Sequence, residues 1–594
     1  MVYFVRMKLS ERHRSAICVV TFGIVFMTLT TCSFVRESAT WDEPQHLIAG
    51  YTALRFHDYR TDPEHPPFIR MWAALPLLGM NGIKMDLQRI DSVDPVSWVW
   101  VKQFLFCHDM LYVANDADHL LYAARFMIGL LGVLLGVLLF CWLHELFGFW
   151  PAAIVLGLYT IEPNILAHSR LVTTDLGVTC FVFGTMYFLW RTARCLSLGN
   201  LCGLIVFFTL AQISKFSAIL IGPVVLTLLA VRVCQRSPWP ISFERQRPLA
   251  SRLYKAAAAA AVFIALVLIG WGAIWAVYDF RYLPSASATW RMDFQDDPIV
   301  QARVPTIAKT VAWIDEHRLL PNTYSEGFLL VQANAQKRGG FLAGNYRSEG
   351  WWWYFPFAFL IKMPISVLLL FVAGVILSAL HWKCLLDDTL YMLLAPATFL
   401  AAAMMARLNI GERHILPIHP FVLLFAGYAV ARLCSERGGQ FRALLGALCI
   451  FAAIEVATVC PHYLAFFNEF AGGPRKGHKY LVDSNIDWGQ DLKGLKQWMD
   501  ERGMPHINLS YFGNADPVYY RINCTYLPGG PWFDQPYVQD PQLPGFVAVS
   551  ITNLRGLHFP EQLRDTYEPL LKMKPETVIG YSIYVYWVDH PWWQ

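Results

Sequence analysis

Charge is scarce in this chain. Only 15% of its 594 residues are Asp, Glu, Lys or Arg, and 56% are hydrophobic. A soluble domain carries about 25% charged residues. The deficit excludes an ordinary soluble protein, and apolar runs near twenty residues make the chain a multi-span membrane protein. Also missing is any CxxC pair, although there are 13 cysteines. That removes support for thiol redox and zinc-ribbon readings. Most cysteines sit inside apolar runs, as small buried hydrophobes. Only Cys107, Cys460 and Cys524 fall in or beside exterior segments, which leaves room for one disulfide at most. No Lys/Arg tract interleaved with aromatics suggests a nucleic-acid partner. No internal repeat is present, and the one low-complexity stretch, AAAAAA at 256–261, belongs to a span.

What is present is a series of apolar runs. Hydropathy places about eleven spans, near 17–35, 127–147, 151–168, 175–191, 198–213, 216–234, 256–278, 355–380, 389–406, 415–433 and 441–460. The first run is read as an uncleaved span, because it is long for a signal peptide and lacks an A-x-A-like site. The stretch from Val231 to Lys255 holds Arg232, Arg236, Arg245, Arg247, Arg252 and Lys255 against the single acid Glu244. Basic loops stay on the cytoplasmic side. The basic N-terminus and the segment with Arg432, Arg437 and Arg442 fall on that same side under this count.

Three long segments then face outward: loops 36–126 and 279–354, and a tail from 461 to 594. Residues 1–460 form the transmembrane domain and 461–594 an exterior α/β domain. In the tail, runs at 506–513, 545–554 and 577–588 predict strands, and 491–503 predicts a helix with a Gly stop. PPFIRMWAALPLLGM at 66–80 predicts an interfacial helix. Trp351, Trp352, Trp353 and Tyr354 read as an aromatic belt. NLS at 508 and NCT at 523 match the glycosylation sequon, a pattern short enough to arise by chance.

The chemistry concentrates in the outward segments. ESATWDEPQHLIAGY follows the first span, and Pro44 predicts a helix start capped by Asp42 or Glu43. Farther along come Asp62, Glu64 and His65 before Pro66-Pro67. Glu162, His168, Arg170 and Asp175 lie at the end of the third span, Lys215 between two apolar runs, and Glu412, Arg413 and His414 at the ninth-to-tenth turn. Acids and bases gathered at one membrane face can deprotonate an acceptor hydroxyl and stabilise an anionic leaving group. Each element also has a plainer role, as a helix cap or a snorkelling side chain. DSNIDWGQD at 483–491 could bind a cation or a sugar, and the favoured reading is a cap for a helix starting near Leu492, with Trp488 packed beneath.

Taken in order, DEPQHLIAGY (42–51), EHPPF (64–68), LAHSRLVTTD (166–175), SKFSA (214–218), NYRSEGWWWYFPFAFLIKMP (345–364), NIGERHILPIHPF (409–421) and FNEFAGGPRKGHKYLVDSNIDWGQDLKGLK (467–496) resemble glycosyltransferase family 39. These are protein O-mannosyltransferase-like, phospholipid-carrier-dependent enzymes of GT-C fold, here in a bacterial branch. The resemblance implies a polytopic α-helical membrane protein with a small α/β exterior domain. It implies inverting transfer of a sugar from a polyprenyl-phosphate donor to a protein, lipid or glycan hydroxyl on the exterior face, which is the periplasmic face of a bacterial inner membrane if the bacterial branch holds and the reticulum lumen otherwise. It places the catalytic acid at Asp42, its pair at Glu43 and a second-loop acid at Asp175. Candidates for holding the lipid phosphate and sugar are His65, Arg170, Lys215, Arg413 and His414. No cofactor, no metal site and no divalent metal are expected, because the single leaving phosphate can be matched by a Lys and an Arg. The rival readings are a transporter or flippase of a lipid-linked saccharide, and an inactive relative serving as a scaffold.

Overall fold

The computed structural model describes residues 9–242, 248–287, 290–336, 338–380, 382–435, 439–529 and 540–592. Its larger part is a helical membrane bundle. The helices used below are α1 (Leu9–Phe34), α2 (Glu43–Phe56), α3 (Phe68–Ala74), α4 (Ala117–Phe147), α5 (Phe149–Thr160), α6 (Asp175–Arg194), α7 (Leu198–Gln212), α8 (Ile221–Cys234) and α9 (Arg252–Val277). Beyond the second long loop come α10 (Tyr354–Lys362), α11 (Ile365–Leu380), α12 (Trp382–Met405), α13 (His419–Ser435) and α14 (Gly439–Ala457). Among the described residues, 7 helices are long and apolar enough to cross a bilayer, or 8 if the bent pair α10–α11 is one span.

The other three expected spans differ for physical reasons. The run 151–168 breaks after the 12 residues of α5, about 18 Å of helix. The 15 residues of α7 are also short. Helix α6 has 20 residues, nearly all buried among other helices. A helix shielded from lipid need not be apolar throughout, so hydropathy underrates it. The span 355–380 bends by 116°. Pro364 causes the break, because the residue before a proline is driven out of the helical region, and Met363 is extended (ψ 137°).

Helix α9 fixes which groups share an end of the bundle. Its 26 residues span about 39 Å. Beyond its C-terminus, Asp279 accepts hydrogen bonds from Tyr59 Oη (2.8 Å) and lies 2.7 Å from His57 Nδ1, both in the first long loop. At its other end, Lys255 donates to the carbonyls of Gln235 and Ser237 (2.7 Å each). The basic stretch and the acid-bearing loop therefore occupy opposite ends.

The first loop folds back on the bundle. Helix α3 carries the sequence read as interfacial, with Leu75 and Leu78 exposed just beyond it. Gly50 of α2 meets the Arg70 carbonyl so closely that a Cβ has no room, and the obstacle is backbone. Gly50→Ala is expected to cost about 1–3 kcal/mol and to shift α3, measurable as a lower thermal midpoint in detergent. Two sequence readings need correcting here. Trp351 and Tyr354 are buried, and only Trp352 and Trp353 are exposed. The belt is thus half an internal contact, with Asn485 Nδ2 donating to Tyr354 Oη at 3.0 Å. Cys107, Cys460 and Cys524 are all unpaired thiols.

The tail forms a five-stranded mixed sheet behind helix α15 (Leu492–Glu501). The strands are β1 (Ile507–Ser510), β2 (Cys524–Tyr526), β3 (Gly545–Ser550), β4 (Thr577–Ile579) and β5 (Ile583–Val588), in the order β2-β1-β3-β5-β4. Strands β2, β1 and β3 are parallel, while β5 pairs antiparallel with both β3 and β4. The run 577–588, read as one strand, is a hairpin turning at Gly580 and Tyr581, both at positive φ. The sequon residue Asn508 is buried in β1, its Nδ2 donating to the Gln542 and Phe546 carbonyls.

Candidate active site

Asp42 sits at the N-cap position of α2 without capping it, since its side chain makes no cap hydrogen bond. Instead Asp42 Oδ2 accepts from Arg413 Nη1 at 3.0 Å. Its carboxylate is a quarter exposed (26%) and lines a cavity of about 870 Å³. The neighbour Glu43 does the local tethering. Its Oε2 accepts from the backbone N–H (2.8 Å) and hydroxyl (3.1 Å) of Thr40, and its Oε1 from the backbone N–H of Val172 (2.9 Å). Arg125 of α4 donates to both Glu43 oxygens, at 2.8 and 2.6 Å. Glu43 is fully buried and does not face the cavity. Burial penalises its charge, but Arg125 and these hydrogen bonds outweigh that and hold its pKa below the usual range. The pair Asp-Glu thus divides into one acid for the cavity and one for the scaffold.

Arg413 is the hub. Its guanidinium lies 4.1 Å from the Trp488 ring centroid, so the tail supplies its platform. The Nη1 that serves Asp42 is also 3.6 Å from Asp175 Oδ2. Asp175, in the first turn of α6, accepts from Lys215 Nζ at 2.5 Å. Lys215 lies in the break between α7 and α8 and lines the cavity, while Asp175 stands behind it. Four sequence-predicted groups, from the first, fourth, sixth and tenth expected spans or their flanks, therefore form one chain: Asp42–Arg413–Asp175–Lys215.

A second wall comes from the first loop. Asp62 adopts a positive φ of 53°, a region Asp tolerates better than most residues. Its carboxylate lies 2.6 Å from His46 Nδ1 and 2.9 Å from Arg70 Nη1, and its backbone N–H donates to Gln103 Oε1 at 2.9 Å. Burial opposes its ionisation, but Arg70 and His46 prevail and hold it well below the carboxylate range. This turn presents Glu64 and His65 to the cavity. Glu64 accepts from Asn334 Nδ2 at 3.0 Å. Burial, with Asp62 and Asp42 adding repulsion, pushes Glu64 up to about 7. Burial holds His65 well below its ordinary value, so its ring is neutral, with Nδ1 unbonded.

Glu64 titrates in a testable window. Its folded pKa lies above its unfolded one, so the folded state holds the extra proton and stability falls as pH rises between the two values. Glu64 is expected to contribute a fall in thermal midpoint between about pH 4.5 and about pH 7. Glu64→Gln should flatten that drop, read by detergent thermal scans across the range.

His414 also lines the cavity, with Nε2 unbonded. Arg170 does not reach it. It is fully buried against Glu37, away from the lining residues. Sequence reading missed several polar cavity residues, among them Gln45, Arg338 and Arg303. Gln45 is buried with both amide atoms unbonded, and one helical turn from Asp42 is the spacing that could have revealed it. Arg338 lines the cavity without a hydrogen bond or ion pair to any described residue, and Arg303 donates only to the Ala333 carbonyl (3.3 Å). Both lie in the second long loop region, where no periodicity marks a site. Beyond the polar head, Phe216, Ile219, Leu220, Phe399, Ala402 and Ala406 give the cavity an apolar flank.

The segment 483–491 is wired into this centre. Asn485 Oδ1 accepts from the Glu412 backbone N–H (3.0 Å), and the Trp41 N–H donates to the Trp488 carbonyl (2.9 Å). Helix α15 does begin at Leu492, but Asp491 at its N-cap makes no side-chain cap hydrogen bond, and Trp488 packs on Arg413 instead of beneath the helix. Asp487 accepts from the Thr552 N–H (3.0 Å), and burial raises it to about 8.

Fold and site together describe a polytopic helical membrane protein resembling glycosyltransferase family 39. Residues 117–243 match the family model described as dolichyl-phosphate-mannose-protein mannosyltransferase, a stretch that includes Asp175 and Lys215. No curated protein matches the chain. Among solved structures, ArnT from Cupriavidus metallidurans bound to undecaprenyl phosphate is 12% identical, over 96% of this chain and 97% of that one, with a TM-score of 0.45. The S. cerevisiae protein O-mannosyltransferase Pmt1-Pmt2 complex bound to the sugar donor is 16% identical, over 50% and 37%, with a TM-score of 0.32. The Archaeoglobus fulgidus oligosaccharyltransferase complex with Zn and sulfate is 12% identical, over 93% and 71%, with a TM-score of 0.43.

Proposed function

We propose that the chain is an inverting glycosyltransferase that moves a sugar from a polyprenyl-phosphate donor to an acceptor hydroxyl on the exterior face of a bacterial inner membrane. The observation that carries this reading is the chain Asp42–Arg413–Asp175–Lys215, of which Asp42, Arg413 and Lys215 line a cavity with both polar and apolar walls. Asp42 Oδ1 makes no hydrogen bond within the described residues, so it can take the acceptor proton. The acceptor oxygen then bonds to the anomeric carbon as the carbon–phosphate oxygen bond breaks on the opposite face. The leaving phosphate gains one negative charge. Lys215, with Arg338 and Arg303 close by, supplies the balancing cations. His65, His414 and Gln45 offer unbonded polar atoms to sugar hydroxyls. The apolar flank suits the polyprenyl tail.

Asp175 and Glu43 act as positioning residues, Asp175 by orienting Lys215 and Arg413, Glu43 by anchoring the start of α2. Arg170 belongs to the scaffold. Transport is disfavoured by placement: transporters hold polar groups at the bilayer midplane, whereas these lie where spans meet long loops. The test is transfer of labelled sugar from a polyprenyl-phosphate donor in proteoliposomes, with mass analysis of lipid-linked sugars and exported glycoconjugates with and without the protein. Donor that crosses the bilayer uncleaved would establish the flippase instead.

A further inference from the structure

Away from the cavity, three side chains converge with open ligand atoms. Glu37, just past α1, is fully buried. Its Oε2 pairs with Arg170, and its Oε1 has no hydrogen-bond partner. Asp491, at the start of α15, uses Oδ2 to accept from Ser582 Oγ (2.6 Å) and Gln490 Nε2 (3.0 Å). Its Oδ1 points to His462, which follows the last span. His462 Nδ1 lies 3.6 Å from Glu37 Oε1 and 3.4 Å from Asp491 Oδ1, and is itself without a hydrogen bond. All three atoms lie within 4.8 Å of one another.

We infer that Glu37, His462 and Asp491 bind a divalent transition-metal ion, with Zn²⁺ the best fit. The separations exceed hydrogen bonds, which run to about 3.2 Å. The two His462 separations match the edge of a tetrahedron around an ion, since bonds of about 2.0–2.2 Å to imidazole and carboxylate give edges of about 3.3–3.6 Å, and the Glu37 and Asp491 oxygens lie within 4.8 Å of each other. One imidazole and two carboxylates form a borderline donor set that favours such an ion over Ca²⁺, which takes 6–8 oxygens. Two carboxylates offset most of its charge, although Glu37 also faces Arg170. The second oxygen of each is already fixed by other side chains, the arrangement that orients metal ligands. His462 is 27% exposed, which leaves an entry path.

The ion ties together the loop after α1, the end of the membrane bundle and the start of α15 in the tail. Glu37 lies five residues before Asp42, so the clip also steadies the segment that carries the cavity acid. None of the three ligands lines the cavity. The site is therefore independent of the chemistry proposed above and of how the leaving phosphate is neutralised.

The experiment uses tag-free full-length protein in detergent, stripped with chelator, loaded with Zn²⁺ and gel-filtered before elemental analysis. About one ion per chain is expected, with a higher thermal midpoint than the stripped protein. Co²⁺ substitution should give visible bands of a four-coordinate site with no thiolate charge-transfer band. His462→Gln and Asp491→Asn should each lose the ion. A protonated His462 that merely bridges the two carboxylates predicts no retained Zn²⁺ in wild type, and that result overturns the proposal whether or not the variants fold. Equal Zn²⁺ in wild type and a folded variant, or a thiolate band, overturns it too, by placing the ion elsewhere. Sugar transfer is not the readout, so failure here leaves the glycosyltransferase reading intact.

Discussion

Asp42→Asn is expected to lower kcat for sugar transfer by about 10²–10⁴-fold, the contribution of one positioned base, while the protein still inserts and binds donor. The substitution keeps size and shape. An Asn carbonyl still accepts from Arg413 Nη1, so the local frame persists. What disappears is the proton acceptor and one negative charge beside the proposed phosphate site. Arg413 then keeps Asp175 as its ion-pair neighbour. Donor KM should stay level or fall, because a cation is freed toward the phosphate. That split separates catalysis from structure: loss of a mere helix cap would reduce stability by about 0.5–2 kcal/mol and leave turnover per folded molecule unchanged. Asp42 makes no cap hydrogen bond in any case. The measurements are single-turnover transfer and donor binding in proteoliposomes. Full turnover in the variant would remove Asp42 from the mechanism.

Asp42, Lys215 and Arg413 were legible because charge at the end of an apolar run needs a reason. Topology then put those charges on one face. The division of labour inside Asp-Glu was not legible, because it depends on Arg125, 82 residues away in α4. No local pattern encodes a contact at that separation. That Arg170 lies off the cavity was hidden for the same reason, since its partner Glu37 lies 133 residues earlier. The bend in the eighth span was encoded by Pro364, yet the continuous apolar run on both sides outweighed it. Strand β2, with 3 residues, is too short for any period to show. It exists because β1 offers it a parallel edge. The role of 483–491 also depended on distant elements, since its partners are Glu412, Trp41 and Thr552.

Arg125 gives the largest expected effect on stability. Its guanidinium is fully buried, with five hydrogen bonds: two to Glu43 and three to the carbonyls of Phe34, Glu37 and Ser38. Arg125→Met removes all of them and leaves Glu43 as a buried, uncompensated charge. Breaking a buried pair from one side costs about 3–5 kcal/mol, and the freed carbonyls add to this. Glu43→Gln should cost less, about 1–3 kcal/mol, because an amide oxygen still accepts from Thr40 or Val172 and Arg125 keeps its carbonyls. The double variant Arg125→Met/Glu43→Gln should be more stable than the sum of the two losses predicts, since no charge is stranded. Detergent unfolding of the four proteins closes the cycle and isolates the pair. Simple additivity would mean that Glu43 and Arg125 act independently, and the anchor assigned to Glu43 would then fall to its backbone contacts alone. Transfer per folded molecule adds the functional half. If the pair merely holds α2 against α4, turnover of the folded double variant recovers along with stability. If turnover stays low while stability returns, the ion pair sets the aim of Asp42, one residue away, as well as the strength of the scaffold.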